Sequence, residues 1–229
     1  MGPARIDPPP PSVTRALYNP SWFASEEKIA AIRKMLSKEF IGGEQLEIRP
    51  GTSPLRDGEV VTFHDFSVIG LLPPFSDFFM AVLEAFGLHM LHLHPNAVLT
   101  LATFAYACEA FVGVMPSVAL FRHFFMPQRG RSRWIAGGVS FCLKQENSSQ
   151  YPSAKIHPDW ADWRRNWYFA QAGSASPHLL VPTSPAESLA NSRDLSAQDG
   201  ALLRIVKKFT ELWDSQVTGA MIADRKSVV

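Results

Sequence analysis

The chain has 229 residues, enough to bury one substantial core, and its 46% hydrophobic and 11% aromatic content excludes a disordered protein. Its 22 Lys and Arg residues against 21 Asp and Glu residues give a net charge of +1, which excludes recruitment of nucleic acid or an anionic membrane by overall charge. The two cysteines, Cys108 and Cys142, stand outside any metal-ligand or C-x-x-C spacing, so we expect a reduced intracellular location, in the cytoplasm or nucleus.

Residues 1–20 form a Pro-rich tail, in which the run Pro8 to Pro11 favours an extended polyproline conformation. A PxxP docking peptide is the less favoured interpretation, because such strings are common. The tail lacks the apolar centre of a signal peptide, and no uninterrupted apolar run in the chain reaches the ~18–20 residues that cross a bilayer, so we expect a soluble protein without membrane contact.

An amphipathic helix is predicted within residues 21–43, starting at Ser25 with acidic residues in its first turn and ending before Gly42 and Gly43. A larger region, 44–171, is predicted to be the globular domain. It opens with a loop rich in Pro and Gly, in which Leu46 and Ile48 are candidates for a short edge strand, and continues with a short buried strand at Val60 to Phe63.

Three consecutive helices are predicted between Pro73 and Met126, separated by breakers. The first carries phenylalanines at helical spacing and ends at Gly87, with Ser76 or Asp77 as its N-cap. The second starts at Pro95 and ends at Gly113, and because it is apolar nearly all round we expect neighbours on most of its sides. The third begins at Pro116 and Ser117 and ends before Pro127.

Two segments after these helices suggest contact with nucleic acid. Gln128 to Arg133 is the most basic spot of the chain, and a solvated loop is its plainer interpretation. After a predicted strand over Trp134 to Leu143 with a bulge at its two glycines, Trp160, Trp163 and Trp167 lie close to Arg164 and Arg165. Three rings there suit base stacking, but the filling of a core is the favoured role because tryptophans bury large areas.

The last two regions are a linker rich in Ser, Pro and Ala at 172–196 and an amphipathic C-terminal helix within 197–229, predicted from Ala197 to about Val217. The broad apolar face of this helix needs a cover. It either folds back on the domain or pairs with another copy of the chain.

The histidines His64, His89, His92 and His94 form the one cluster that resembles a metal-ligand set. Because zinc prefers about four nitrogen or sulfur ligands and no cysteine or paired carboxylate stands beside them, we favour surface and capping roles and expect no metal and no cofactor. No phosphate-binding loop, nucleophile elbow or paired acidic motif is present, which favours a non-enzymatic protein with no catalytic residues.

Four motifs together carry a family resemblance: the apolar strand Glu59 to Phe63, LLPP at Leu71 to Pro74, LHPN at Leu93 to Asn96 and CEAF at Cys108 to Phe111. With the Trp-rich segment, the stretch from Gly58 to Gln171 resembles the plant gypsy-type transposon domain of LTR retrotransposon polyproteins. The resemblance implies a mobile-element origin and a gag-like or accessory role, without a catalytic site to carry over. A zinc knuckle of the nucleocapsid type is excluded by the two isolated cysteines.

These observations predict a helix-dominated α+β fold, with three central helices, a small sheet and flanking terminal helices. The leading hypothesis is a gag-like structural or protein-interaction module that binds a protein partner or itself, as a homo-oligomer through its terminal helices. The alternative is a nucleic-acid-binding module that uses the following residues: Arg129, Arg131, Arg133, Arg164, Arg165, Trp134 and Trp163.

Overall fold

The computed structural model describes residues 23–39, 47–52, 56, 58–72, 75–130, 136–152, 160–171 and 200–214. The predicted Pro-rich tail and the predicted linker at 172–196 lie outside these residues. The described part is a helix-dominated α+β fold, as the sequence predicts. Its helices are α1 (Glu26–Glu39), α2 (His64–Val68), α3 (Asp77–Phe86), α4 (Pro95–Tyr106), α5 (Val118–Phe124) and α6 (Gly200–Asp214).

The three predicted central helices are confirmed as α3, α4 and α5, and local capping sets their ends. Ser76 accepts a hydrogen bond from the Phe79 N–H at 3.3 Å to start α3, and Gly87 ends it in the left-handed conformation. Ser117 caps α5 in the same way. The sequence analysis missed the short helix α2, which follows directly on a strand without a breaker.

Helix α4 begins at Pro95 and continues without interruption as a π-helical segment, Ala107–Val112, up to Gly113 at φ 71°. The continuous helix, Pro95–Val112, is therefore 18 residues long. By length and composition it meets the criterion for a candidate membrane span. It is not an uninterrupted apolar run, because Asn96, Thr100, Thr103 and Glu109 lie within it. A core helix meets the same criterion, and 44% of this one is buried by the rest of the fold.

The strands form two separate antiparallel sheets, so the prediction of one small sheet is wrong. In the first sheet, β5 (Trp167–Gln171) lies between β1 (Ile48–Pro50) and β2 (Glu59–Phe63). In the second, β3 (Phe125–Arg129) pairs with β4 (Val139–Leu143) as a hairpin. The physical reason is local. Because β3 follows α5 directly and is close to β4 in sequence, β4 pairs with β3 and not with β5.

The strand registers define which residues pair at the ends of each sheet. Phe63 pairs with Trp167 at one end of the first sheet, and Glu59 pairs with Gln171 at the other. In the hairpin, Arg129 pairs with Val139 at the turn end. The beginning of the predicted basic loop, Gln128 and Arg129, is thus strand, and the predicted strand over Trp134 to Leu143 starts only at Val139 among the described residues.

The main core is a cluster of aromatic rings around α4. Phe104 is fully buried, and its ring contacts rings from α3, α5, β3 and α6, at centroid distances of 5.2 to 6.5 Å. A second, smaller cluster joins Ile29 and Ile32 of α1 to Ile48, Tyr168 and Ala170 of the first sheet. Helix α1 is therefore part of the folded unit.

Gly137 lies in the hairpin turn, where both the backbone conformation and a neighbouring ring disfavour a side chain. Its φ is +69°, and a Cβ built on it lies 2.3 Å from the Trp163 ring. We expect Gly137→Ala to lower the free energy of unfolding by about 2–4 kcal/mol, through left-handed strain and overpacking, measured by urea denaturation. Gly87→Ala is the control with a φ of +60° and open space, and it is expected to cost only the strain, about 1–2 kcal/mol. Equal losses in the two variants would contradict the Trp163 contact.

Candidate interaction surfaces

A partly open apolar groove lies between the start of α3 and the outer face of α4. It encloses about 220 Å³ and is bordered at one end by the residues that follow α2. Its lining residues are Gly70, Leu71, Ser76, Phe78, Phe79, Val98, Leu101, Ala102, Ala105, Tyr106 and Glu109. We call this surface the α3/α4 groove.

Few polar groups face the groove. Ser76 is engaged as the cap of α3, and Glu109 is exposed at the end of the groove on the π-helical segment. Arg122 donates to the Ala85 carbonyl at 2.8 Å and lies over the Phe86 ring. The groove is therefore suited to apolar contact with one carboxylate at its edge.

Two apolar side chains near the end of the continuous helix are exposed to solvent, and one of them contacts the groove residue Tyr106. Phe111 is 39% exposed and packs edge-on against Tyr106, with ring centroids 5.8 Å apart. Met115, just beyond the end of the helix, is 79% exposed. Exposed apolar groups beside an apolar groove are typical of a surface that binds another protein.

Helix α6 covers a different part of the central helices. Its residues Val206 and Phe209 are buried, and Phe209 belongs to the main core. The sequence analysis left open whether this helix folds back or pairs with another copy. In the structure it folds back on its own chain, while self-association through it stays a prediction.

The histidines near α4 serve as backbone caps. His92 Nδ1 accepts from the His89 N–H at 3.0 Å, His89 Nδ1 from the Leu91 N–H at 3.1 Å, and His94 Nδ1 from the Asn96 N–H at 3.1 Å. Capping roles are thus confirmed, but the expected surface location is wrong for His89 and His92, which are buried. Within the described ranges, no three His, Cys, Asp or Glu side chains are grouped to hold a metal ion.

His94 gives a pH-dependent test of this arrangement. Burial lowers the pKa of His94, and the charge of Arg164 lowers it further. Because the unfolded chain then takes up a proton more readily than the folded one, stability is full above a pH of about 6.5 and decreases as pH falls below it. We expect an NMR titration to place the His94 pKa below its ordinary value, and a value above it would contradict the burial.

His94 also caps α4, which a substitution tests separately. His94→Ala is expected to lower the free energy of unfolding by about 0.5–2 kcal/mol, because the Asn96 N–H loses its acceptor. His94→Asn keeps a capping oxygen and is expected to retain most of the stability in urea denaturation. Equal losses in both variants would show that the cap contributes little.

The two cysteines form no disulfide with each other, and burial raises the pKa of both thiols. Cys108 is buried in the π-helical segment, and burial raises the pKa of its thiol to about 12, so the reactive thiolate is not formed near neutral pH. Cys142 lies in β4, and burial likewise raises its pKa.

The structure describes four of the seven candidate nucleic-acid-binding residues, namely Arg129, Trp163, Arg164 and Arg165. Arg129 is exposed at the end of β3, whereas Arg131, Arg133 and Trp134 lie outside the described residues. Trp163 is 2% exposed and packs against Phe63 and Phe66, so its ring faces the core. The predicted core role is thus confirmed for Trp163.

The two adjacent arginines differ in their surroundings. Arg164 lies over the Trp163 ring at 4.6 Å, and its Nε donates to the Ala136 carbonyl at 3.0 Å. Burial lowers the pKa of Arg164. Arg165 is exposed and pairs with Asp162 at 3.2 Å. Arg164 therefore binds the residues that precede β4, whereas Arg129 ends β3, the other strand of the hairpin.

Comparison with known proteins gives one family match. Residues 60–129 match the model of the family described as "Putative gypsy type transposon". The match includes the LLPP, LHPN and CEAF motifs and all the residues that line the α3/α4 groove. It ends at Arg129, so it covers only the first part of the stretch for which the sequence analysis expects the resemblance. This region is thus similar to a transposon-related family.

No curated protein matches the chain, and no solved structure matches it either.

Proposed function

We propose that the chain is a transposon-derived, non-enzymatic structural module of the gag-like kind, which acts by binding proteins, including a second copy of itself. The observation that carries the proposal is the α3/α4 groove, because it lies within the stretch that matches the transposon family and its lining residue Tyr106 packs against the exposed Phe111.

The chemistry of the groove favours binding over catalysis. Its described lining offers a capping serine, a tyrosine and one exposed carboxylate, whereas hydrolytic and transfer reactions use a nucleophile held beside a base. Its walls are built from helices that present aliphatic, aromatic and small side chains. Ala102 and Ala105 on α4 leave room for close approach of a partner.

Sedimentation velocity of the full chain between about 1 and 100 µM tests this proposal. We expect the wild-type chain to associate more as concentration rises, and Ala105→Arg to lose that association because the new side chain fills the groove. Ala30→Arg on the exposed face of α1 is the matched control and is expected to associate as the wild type does. A loss in the control equal to that in Ala105→Arg, or a wild type that stays monomeric, would contradict self-association through the groove.

A second candidate function, nucleic-acid binding, is favoured by one contact. The hydrogen bond from Arg164 to the Ala136 carbonyl holds Arg164 beside the residues that precede β4, and the first residue of β4, Val139, pairs with Arg129. Clustered arginines bind phosphates in a salt-dependent way. Trp163 is not part of this proposed surface, because its ring is buried.

A gel-shift titration with labelled single-stranded RNA and with duplex DNA tests the second candidate. Replacement of the five arginines (Arg129, Arg131, Arg133, Arg164 and Arg165) by alanine is expected to abolish a shift that weakens with salt. A control with Arg204→Ala and Lys207→Ala removes exposed charges on α6 and is expected to keep the shift. Absence of any shift by the wild type at low salt would exclude this function.

A further inference from the structure

The central contact between α6 and the rest of the domain is made by one aromatic side chain. Phe209 is fully buried among Phe104, Phe124 and Tyr151, with ring centroids at 6.0, 5.1 and 5.4 Å. The Phe104 and Phe209 rings are parallel to within 2°. We call these three acceptor rings the aromatic socket. A deep aromatic anchor of this kind contributes most of the energy of a helix-in-groove contact.

The other contacts of α6 lie on the same face. Val206 is buried beside Phe209, and Lys208 Nζ donates to the Val112 carbonyl at 3.2 Å. That carbonyl ends the π-helical segment, where helical carbonyls lack a partner within the helix. Arg204, Lys207 and Glu211 are exposed. Helix α6 thus behaves as a ligand with one binding face.

The chain between β5 and α6 is long. Residues 172–199, which are 28 residues, separate Gln171 from Gly200. Fully extended they span at most about 90–100 Å, far more than the diameter of a domain of this size. Helix α6 can therefore reach the socket of a neighbouring copy as well as its own, and the contacts it makes there are the same.

We infer that α6 is exchangeable between two copies of the chain, with the Phe209 side chain of each copy entering the aromatic socket of the other. The inference rests on the self-association in the proposed function and names a second contact for it. A tether of 28 residues gives an effective concentration of about the millimolar range, so α6 stays on its own chain in dilute solution and exchanges at high protein concentration.

The length of the tether provides a specific test. In the Ala105→Arg background, which removes contact through the groove, 28 Gly and Ser residues are inserted after Thr183 to double the segment. The effective concentration of α6 at its own socket falls roughly threefold with this doubling. Forming one exchanged dimer breaks two intramolecular α6 contacts, one in each monomer, and makes one new contact that is intramolecular within the dimer. Each of these contacts is weakened about threefold by the longer tether, so the dimerisation constant, measured by sedimentation up to about 1 mM, is expected to tighten roughly threefold.

Substitutions on α6 identify the contact. Phe209→Ala, in the same background, is expected to abolish the dimer, whereas Leu203→Ala, at an exposed position of the same helix, is expected to leave it unchanged. Lys208→Ala removes the bond to Val112 equally from the monomer and from the exchanged dimer, so it is expected to leave the dimerisation constant close to that of its parent.

The outcomes separate the two proposals. An unchanged dimerisation constant after the insertion, a dimer that survives Phe209→Ala, or an Ala105→Arg chain that stays monomeric at about 1 mM would each overturn the exchange of α6. None of these results affects association through the groove, which Ala105→Arg and Ala30→Arg test at lower concentration.

Discussion

Phe104→Ala is expected to lower the free energy of unfolding by about 3–5 kcal/mol, a large part of the 5–15 kcal/mol that stabilises a typical domain. Phe104 is fully buried in the last turn of α4, in the middle of the continuous helix Pro95–Val112. Its ring touches Phe78 of α3, Phe121 of α5 and Phe209 of α6, so one truncation removes contacts between the central helix and its three helical neighbours. The cavity cannot close without moving several of these rings.

Urea denaturation of the full chain measures the effect, and Met115→Ala provides the control. Met115 follows the same continuous helix but is 79% exposed, so its truncation is expected to change the free energy of unfolding by no more than about 0.5 kcal/mol. If Phe104→Ala lost less than about 1.5 kcal/mol, the aromatic cluster would not be the main source of stability.

Glu59→Ala is expected to cost about 3–5 kcal/mol, because it leaves a buried guanidinium without its carboxylate. Arg49 donates to both carboxylate oxygens of Glu59 at 2.5 Å, and the Arg56 N–H donates to one of them at 2.7 Å. The two side chains are only 11% and 5% exposed. Arg49 also lies over the Phe169 ring at 4.4 Å, so the pair joins both edge strands of the first sheet across β5.

Glu47→Ala is the matched control, since it breaks a pair with Arg56 at 3.3 Å whose side chains are more than 60% exposed. Exposed pairs contribute at most about 1 kcal/mol, so this variant is expected to unfold close to the wild type. Equal losses in Glu59→Ala and Glu47→Ala would show that the buried pair has no special weight.

The same pair predicts a pH dependence. Hydrogen bonds from Arg49 hold the pKa of the Glu59 carboxyl below its usual value. A lowered pKa in the folded chain means that the stabilisation is complete above the unfolded pKa, near 4.3, and is lost as pH falls through the folded value. The difference in unfolding free energy between wild type and Glu59→Gln is therefore expected to shrink as pH decreases from about 5.

The helical part of the fold could be predicted because its signals are local. Ser76, Gly87 and Pro95 act within one helical turn of their own positions, and a cap residue or breaker specifies the same geometry in most surroundings. The continuation of α4 up to Gly113 was predicted as well, but its π-helical geometry had no local signal, because its residues are as apolar as those before it.

Long-range pairing could not be predicted in the same way. The sequence places Trp163 beside Arg164 and Arg165 and thereby suggests a basic aromatic surface, but the contacts that turn its ring inward come from Phe63 and Phe66, about 100 residues earlier. The Arg49 and Glu59 pair likewise crosses strands that the pattern does not join. The groove was also missed, because it lies between two helices whose relative position no local motif specifies.

Hydrogen exchange read by mass spectrometry tests most directly the claim that a dry aromatic core presents the α3/α4 groove as a binding surface. We predict that the amides of α4 exchange slowest, and that amides of residues 75–79 and 98–109 exchange more slowly still at about 500 µM than at about 10 µM, with Ala105→Arg losing that difference. Fast exchange in α4, or identical exchange around the groove at the two concentrations, would contradict the account.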